Sequence, residues 1–144
     1  MDKNMTLLKA EHISKQYDQR PIIEDINLEL RKGEIVSLLG VSGSGKTTLF
    51  NILSGLLTPD SGRVLLNGQD ITNQPGKISY MLQKDLLLPH KKIMDNVSLP
   101  LVLRGMKKPE ARAKAQPLFA DFGLEGTQNQ YPCQLSGGMR QRAA

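Results

Sequence analysis

From Leu7 to Ile13, and again from Ile22 to Leu30, apolar and polar residues alternate with the period of a strand that buries one face. These two runs predict antiparallel strands joined by a turn around Asp18 to Pro21. Glu34 to Leu39 loses the alternation, and its near-continuous apolar character predicts a strand buried on both faces, as in a parallel sheet. Gly62 to Gly68 reads as a short strand ended by a turn, and Ile78 to Leu82 as a further strand. Between Leu39 and Gly62, Thr47 to Leu53 carries a helical pattern that Gly55 should stop. From Ile93 onward the pattern is helical, with helix formers concentrated in Asn96–Leu103 and Glu110–Gln116, and Pro117 should kink or divide the latter helix. No internal repeat or low-complexity linker interrupts the chain.

The stretch Gly40-Val-Ser-Gly-Ser-Gly-Lys-Thr-Thr48 lies between the buried-strand pattern and the first helix. Three glycines and two serines within six positions suit no regular element. They let successive backbone N–H groups point into one concavity that matches a phosphate chain. Lys46 adds a point charge, the helix that follows adds unpaired N–H groups and its dipole, and the Thr47 hydroxyl is placed for a magnesium ion. The pattern implies phosphate binding but does not separate kinases, GTPases, motors and transporters.

At 144 residues the chain suffices for one small domain with a real core. No apolar run approaches bilayer length, and the N-terminal residues lack a signal-peptide core, so a soluble cytosolic chain is expected. The single cysteine, Cys133, rules out an internal disulfide, fits a reducing compartment and is expected to be a small half-buried residue. The net charge of +5 could suggest nucleic acid, but three Tyr, three Phe and no Trp offer no aromatic interleaving for base stacking. No nucleic-acid partner is expected, and the positive charge serves ligand phosphates or a solvated surface. His12 and His90 have no neighbours at metal-ligand spacing and receive no function.

Near the end stands Leu135-Ser-Gly-Gly-Met-Arg-Gln-Arg142, in which Ser136 can cap a helix opening at two glycines and create a second anion-binding N-terminus. "LSGG" downstream of a phosphate loop resembles the signature of ATP-binding-cassette (ABC) transporter ATPases, and "LSGGMRQR" resembles the form found in bacterial importers. Gln83 matches the family's glutamine loop and Tyr17 its adenine-stacking aromatic residue. Gln83 to His90 and Ile93 to Val97 are similar to cassettes of the nitrate, sulfonate and taurine importer group, although the position of His90 is commonly Trp there.

The resemblance implies an α/β fold: a P-loop NTPase core with an N-terminal antiparallel β subdomain and the start of a helical subdomain, incomplete. It implies a boundary that puts the β subdomain and P-loop core in residues 1–82, and the glutamine loop, helical subdomain and signature in 83–144. ATP and magnesium are the implied cofactors. Gly40, Ser42, Gly43, Ser44, Gly45, Lys46, Thr47 and Thr48 would wrap the triphosphate, with Lys46 on its outer phosphates and Thr47 on the metal. Tyr17 would stack on adenine, and Gln83 would sense the metal and the attacking water. Two cassettes would pair head to tail, so that Ser136, Gly137 and Gly138 of one close over ATP held by the other. Lys46, Gln83 and Ser136 are then the catalytic candidates.

The implied function is the ATPase subunit of a solute importer at the cytoplasmic face of the bacterial inner membrane. It would work with a membrane permease and, indirectly, a solute-binding protein. Two other readings stay open: a soluble cassette acting outside transport, and a nucleotide-binding fragment without activity of its own. Family members continue past the signature helix into an apolar strand ending in Asp-Glu, and no such run follows Arg142. The chain is therefore expected to be the N-terminal part of a cassette, inactive by itself. The strands flanking Ile35–Leu39 would come from beyond residue 144. Helical residues after Ile93 would touch the permease.

Overall fold

The computed structural model describes residues 5–82 and 84–144, which divide into two compact units meeting between Tyr80 and Met81. The first is built on a four-stranded antiparallel sheet in the order β2-β1-β3-β4, from β1 (Thr6–Tyr17), β2 (Arg20–Arg31), β3 (Ser61–Leu66) and β4 (Gln69–Asp70). Both long strands predicted from alternation form and pair antiparallel, closing at Tyr17↔Arg20. The two turn residues, Asp18 and Gln19, have φ of 48° and 62°, the pair of left-handed conformations that matches a hairpin's right-handed twist. The strands run further than the alternation suggested because register shifts between Ala10 and Ile13, and between Ile13 and Lys15, let the pairing continue past breaks in the pattern.

Helix α1 (Lys46–Leu53) buries Leu49, Ile52 and Leu53 against the sheet's apolar face, joining Leu8, Ala10, Ile13, Ile23 and Val64 in one core. Its end is where Gly55 put it. The Leu56 amide donates to Asn51 O at 2.9 Å and the Gly55 amide to Ile52 O at 3.0 Å, a Schellman arrangement that needs the left-handed Gly55, φ 75°. On the sheet surface the Glu11 carboxylate lies between Lys9, at 2.6 Å, and Arg63, at 2.8 Å, and their hydrogen bonds hold its pKa down at about 2.

Two strand predictions fail. Neither Glu34–Leu39 nor Ile78–Leu82 forms a strand. Ile35 and Leu39 are 92% and 93% exposed, and Val36 and Val41 are exposed as well. A strand exists only through a neighbour's hydrogen bonds, and among the described residues none is offered to this segment. The chemistry of a doubly buried strand is present without the sheet that would bury it.

The second unit is helical: α2 (Ile93–Leu103), α3 (Lys108–Ala115), α4 (Leu118–Asp121) and α5 (Gly137–Ala143). Pro117 divides α3 from α4 as expected, standing at the N-cap of the latter. Ile93, Met94, Ala115, Phe119, Leu124 and Leu135 form its core. Buried Asn96 fastens the loop before α2, accepting from Leu88 N at 2.7 Å and donating to the carbonyls of Leu88, Lys91 and Lys92. Asp95 pairs with Arg112 at 2.6 Å and Lys108 at 3.4 Å. Burial pushes its carboxyl up, but these two cations outweigh burial and leave it below the usual range. Cys133 is exposed rather than half-buried, because the single 3-10 turn Pro132–Gln134 buries Pro132 instead. Among the described residues no helix is long and apolar enough to cross a membrane.

An unpaired segment of this composition is a template for association. Light scattering of the purified chain is expected to give a mass above the monomer, and the double substitution Ile35→Lys with Leu39→Lys should move it toward the monomer. A monomeric wild-type chain at the same concentration would contradict this.

Candidate functional site

The loop from Gly40 to Gly45 is shaped by its glycines. Gly43 and Gly45 have φ of 82° and 83°, in the left-handed region, and the Ser44 amide donates to Val41 O at 3.3 Å to close the turn. Gly45 does more than turn. A Cβ there would stand 2.6 Å from Ile23 Cγ2 and 2.9 Å from Ile22 O, so the loop rests directly on strand β2. At Gly40 a Cβ would stand 2.7 Å from Ser44 Oγ.

Helix α1 begins immediately, with Gly45 as N-cap and no side chain capping it. The first intrahelical bond is Leu49 N to Gly45 O, 2.9 Å. Among the described residues, the amides of Gly45, Lys46, Thr47 and Thr48 therefore have no acceptor. The Lys46 ammonium curls back over the loop, donating to Gly40 O and Val41 O at 2.7 Å each and to Ser44 Oγ at 3.2 Å. Bare N–H groups, a helix N-terminus and a cation thus converge on one concavity, with Ser42, Gly43 and Thr47 exposed at its edge. The cradle that Cβ atoms would fill, and these donors, fit a phosphate chain.

Tyr17 lies at the hairpin end of β1, opposite Arg20. The loop touches β2 at Ile22 and Ile23, just beyond that pairing, so the sheet brings Tyr17 and the loop to the same end of the hairpin. Gln83, named from the sequence, lies outside the described residues. Just before it Tyr80 stacks on Phe50 of α1, ring centroids 6.2 Å apart and planes within 12°, which fastens the segment leading to Gln83 onto the loop's own helix.

In the second unit Ser136 is the N-cap of α5, and its Oγ accepts from Met139 N at 3.3 Å. The preceding turn is locked by Gln134 Oε1, which accepts from Tyr131 N at 2.8 Å, and by buried Leu135. Gly137 and Gly138 are exposed, and a Cβ on either would meet only an arginine tip, at 3.9 or 3.8 Å. Among the described residues of this unit nothing requires glycine there, in contrast to Gly40 and Gly45 in the first. Sequence reasoning missed Arg140, which donates to Asp85 Oδ2 at 3.1 Å and Leu135 O at 2.9 Å, bracing the helix against the segment after Gln83. Fifty-five residues separate that pair, and no local signal joins them.

Residues 23–144 match the family described as ABC transporter, and the chain belongs to that family. The chain is 48% identical over 139 residues to the formylaminopyrimidine import ATP-binding protein ThiZ of Halalkalibacterium halodurans, covering 96% of this chain and 53% of that protein. It is 42% identical over 142 residues to the taurine import ATP-binding protein TauB of Pseudomonas aeruginosa, covering 96% and 54%. Among solved structures, a dimeric post-hydrolysis state of the ATP-binding cassette MJ0796 bound to ADP and Pi superposes with a TM-score of 0.82 at 31% identity, covering 95% of this chain and 66% of that one. The chain thus has the ABC ATPase fold over its length and spans about half the length of the curated relatives it matches.

Gly45→Ala combines a forbidden φ with a collision on β2, whereas Gly43→Ala meets only the φ penalty. Urea unfolding of both variants is expected to show a loss of about 1–2 kcal/mol for Gly43→Ala and at least about 1 kcal/mol more for Gly45→Ala. Equal losses would show that the loop does not rest on Ile22 and Ile23.

Proposed function

We propose that this chain forms the nucleotide-binding part of the ATP-binding subunit of a bacterial solute importer. The observation that carries the reading is the loop itself: acceptorless amides from Gly45 to Thr48 and the Lys46 ammonium gathered at one point. In this reading Gly40 to Thr48 hold the triphosphate of ATP, Lys46 leaves the Gly40 and Val41 carbonyls for the outer phosphates, and the Thr47 hydroxyl takes a magnesium ion together with Gln83. Tyr17, half-exposed at the same end of the hairpin, offers its ring to adenine.

Gly137 and Gly138 support the second half of the reading. Their lack of side chains serves no contact within the chain, as expected if a ligand held by another copy approaches them. Two copies would pair head to tail, each supplying Ser136 to Gly138 to ATP in the other. Charge on the transferring phosphoryl group is then stabilised only when the halves meet. MJ0796, dimeric with ADP and Pi, is consistent with this arrangement. A complete protein carrying this chain would act as an ATPase, bound peripherally to a permease at the cytoplasmic face of the inner membrane. The chain alone, about half the length of such relatives, would bind nucleotide without useful turnover. The solute group is best sought near the taurine and sulfonate importers. Import proteins named for formylaminopyrimidine, taurine and sulfate or thiosulfate share 48%, 42% and 39% identity with this chain, which is consistent with solute choice residing in other subunits.

Titration with magnesium and labelled ATP is expected to show binding that Lys46→Ala weakens at least tenfold. In a full-length version, Ser136→Arg should leave ATP affinity within about twofold and abolish turnover. Equal affinity of wild type and Lys46→Ala would overturn the loop assignment, and full turnover in Ser136→Arg would overturn the shared site.

A further inference from the structure

Tyr17 has a second neighbour that the phosphate-loop reading does not use. Lys15 stands two residues earlier on β1, next to a register irregularity at Lys15–Gln16. Its Nζ lies 5.7 Å from the centroid of the Tyr17 ring, within cation–π range. This ammonium is not a loose surface charge. The Lys15 side chain is only 15% exposed, and Nζ donates to Asp60 Oδ1 at 2.7 Å. Asp60 is fixed in turn, since its Oδ2 accepts from Gln16 N at 2.8 Å and its own amide donates to Ser14 O at 2.9 Å. Lys15 and the Gln16 amide hold the Asp60 carboxyl below the usual carboxylate range, so it faces Lys15 as a carboxylate at neutral pH.

With a fixed cation against one face and the ring still 47% exposed, the face away from Lys15 is the one left for a planar ligand. A cation draws electron density out of the ring and makes that opposite face less repulsive to an electron-rich purine. It also restrains the ring before binding, so less side-chain freedom is lost when the base arrives. We propose that Lys15, locked by Asp60, is a positioning residue that holds and polarises Tyr17 as the platform for the nucleotide base. This rests on the reading of Tyr17 as the base-stacking residue. It adds two residues, one of them 43 positions away, that no motif marks.

The proposal separates base affinity from phosphate affinity, so the 144-residue chain is titrated in magnesium with two probes, ATP and inorganic tripolyphosphate. Lys15→Met keeps the aliphatic stem and removes the cation. It is expected to weaken ATP about threefold to fivefold and to leave tripolyphosphate unchanged. Asp60→Asn should do the same, and Lys15→Arg, which keeps a cation able to lie over a ring, should restore ATP to within about twofold. In a Tyr17→Ala background Lys15→Met should have no further effect. If Tyr17→Ala weakens ATP selectively while Lys15→Met does not, the proposal falls and the base-stacking reading stands. If Tyr17→Ala leaves ATP unchanged, or if neither probe binds, both fall. Equal losses on the two probes in Lys15→Met would mark a purely structural role and overturn the proposal. Circular dichroism checks folding, and Lys15→Met, which keeps the aliphatic stem, carries the test if Asp60→Asn unfolds.

Discussion

Glycine at position 45 allows a left-handed turn in direct contact with strand β2, and the first unit is organised around that contact. The left-handed backbone there and the approach to Ile22 O and Ile23 Cγ2 turn the chain from the loop into helix α1 while pressing it on strand β2. That contact starts the helix with bare amides, drops Leu49, Ile52 and Leu53 onto the sheet, and brings the loop to the hairpin end that carries Tyr17. A side chain at 45 would lift the loop off the strand and loosen all three at once. The apolar packing supplies the stabilisation, and the glycine determines where it is directed.

What the sequence made legible was local. Alternation marked β1 and β2, Gly55 ended α1, Pro117 separated α3 from α4, and Ser136 capped α5, because each signal acts within a few residues of itself. Glu34–Leu39 and Ile78–Leu82 were misread for the complementary reason. Their composition suits a buried strand, but a strand needs a partner that no nearby residue supplies. Of the candidate site, the loop and the signature turn could be read from spacing alone. The Arg140–Asp85 pair, the Phe50–Tyr80 stack and the Lys15–Asp60 lock join residues far apart in the chain, and only the fold reveals them.

The glycines divide into two kinds, and the division carries functional meaning. Gly40 and Gly45 are small because the chain itself comes close to them, whereas a Cβ on Gly137 or Gly138 would meet only an arginine tip at ordinary contact distance. The first pair shapes the loop, Gly40 against Ser44 and Gly45 against strand β2. In the proposed composite site between two cassettes, the second pair would leave backbone bare for a ligand held by the other copy. The exposed apolar residues of 35–41 tell the same story of surfaces that await covering.

In the proposed function the acceptorless amides of Gly45 to Thr48 receive the phosphates of a nucleotide. Hydrogen–deuterium exchange of the 144-residue chain, with and without saturating magnesium-ATP, tests it at residue level. The account predicts slowed exchange at Gly45 to Thr48 and at the hairpin end around Tyr17, with the amides of Gly137 and Gly138 unchanged. Protection confined to the second unit, or an unchanged loop under conditions where ATP is bound, would contradict it.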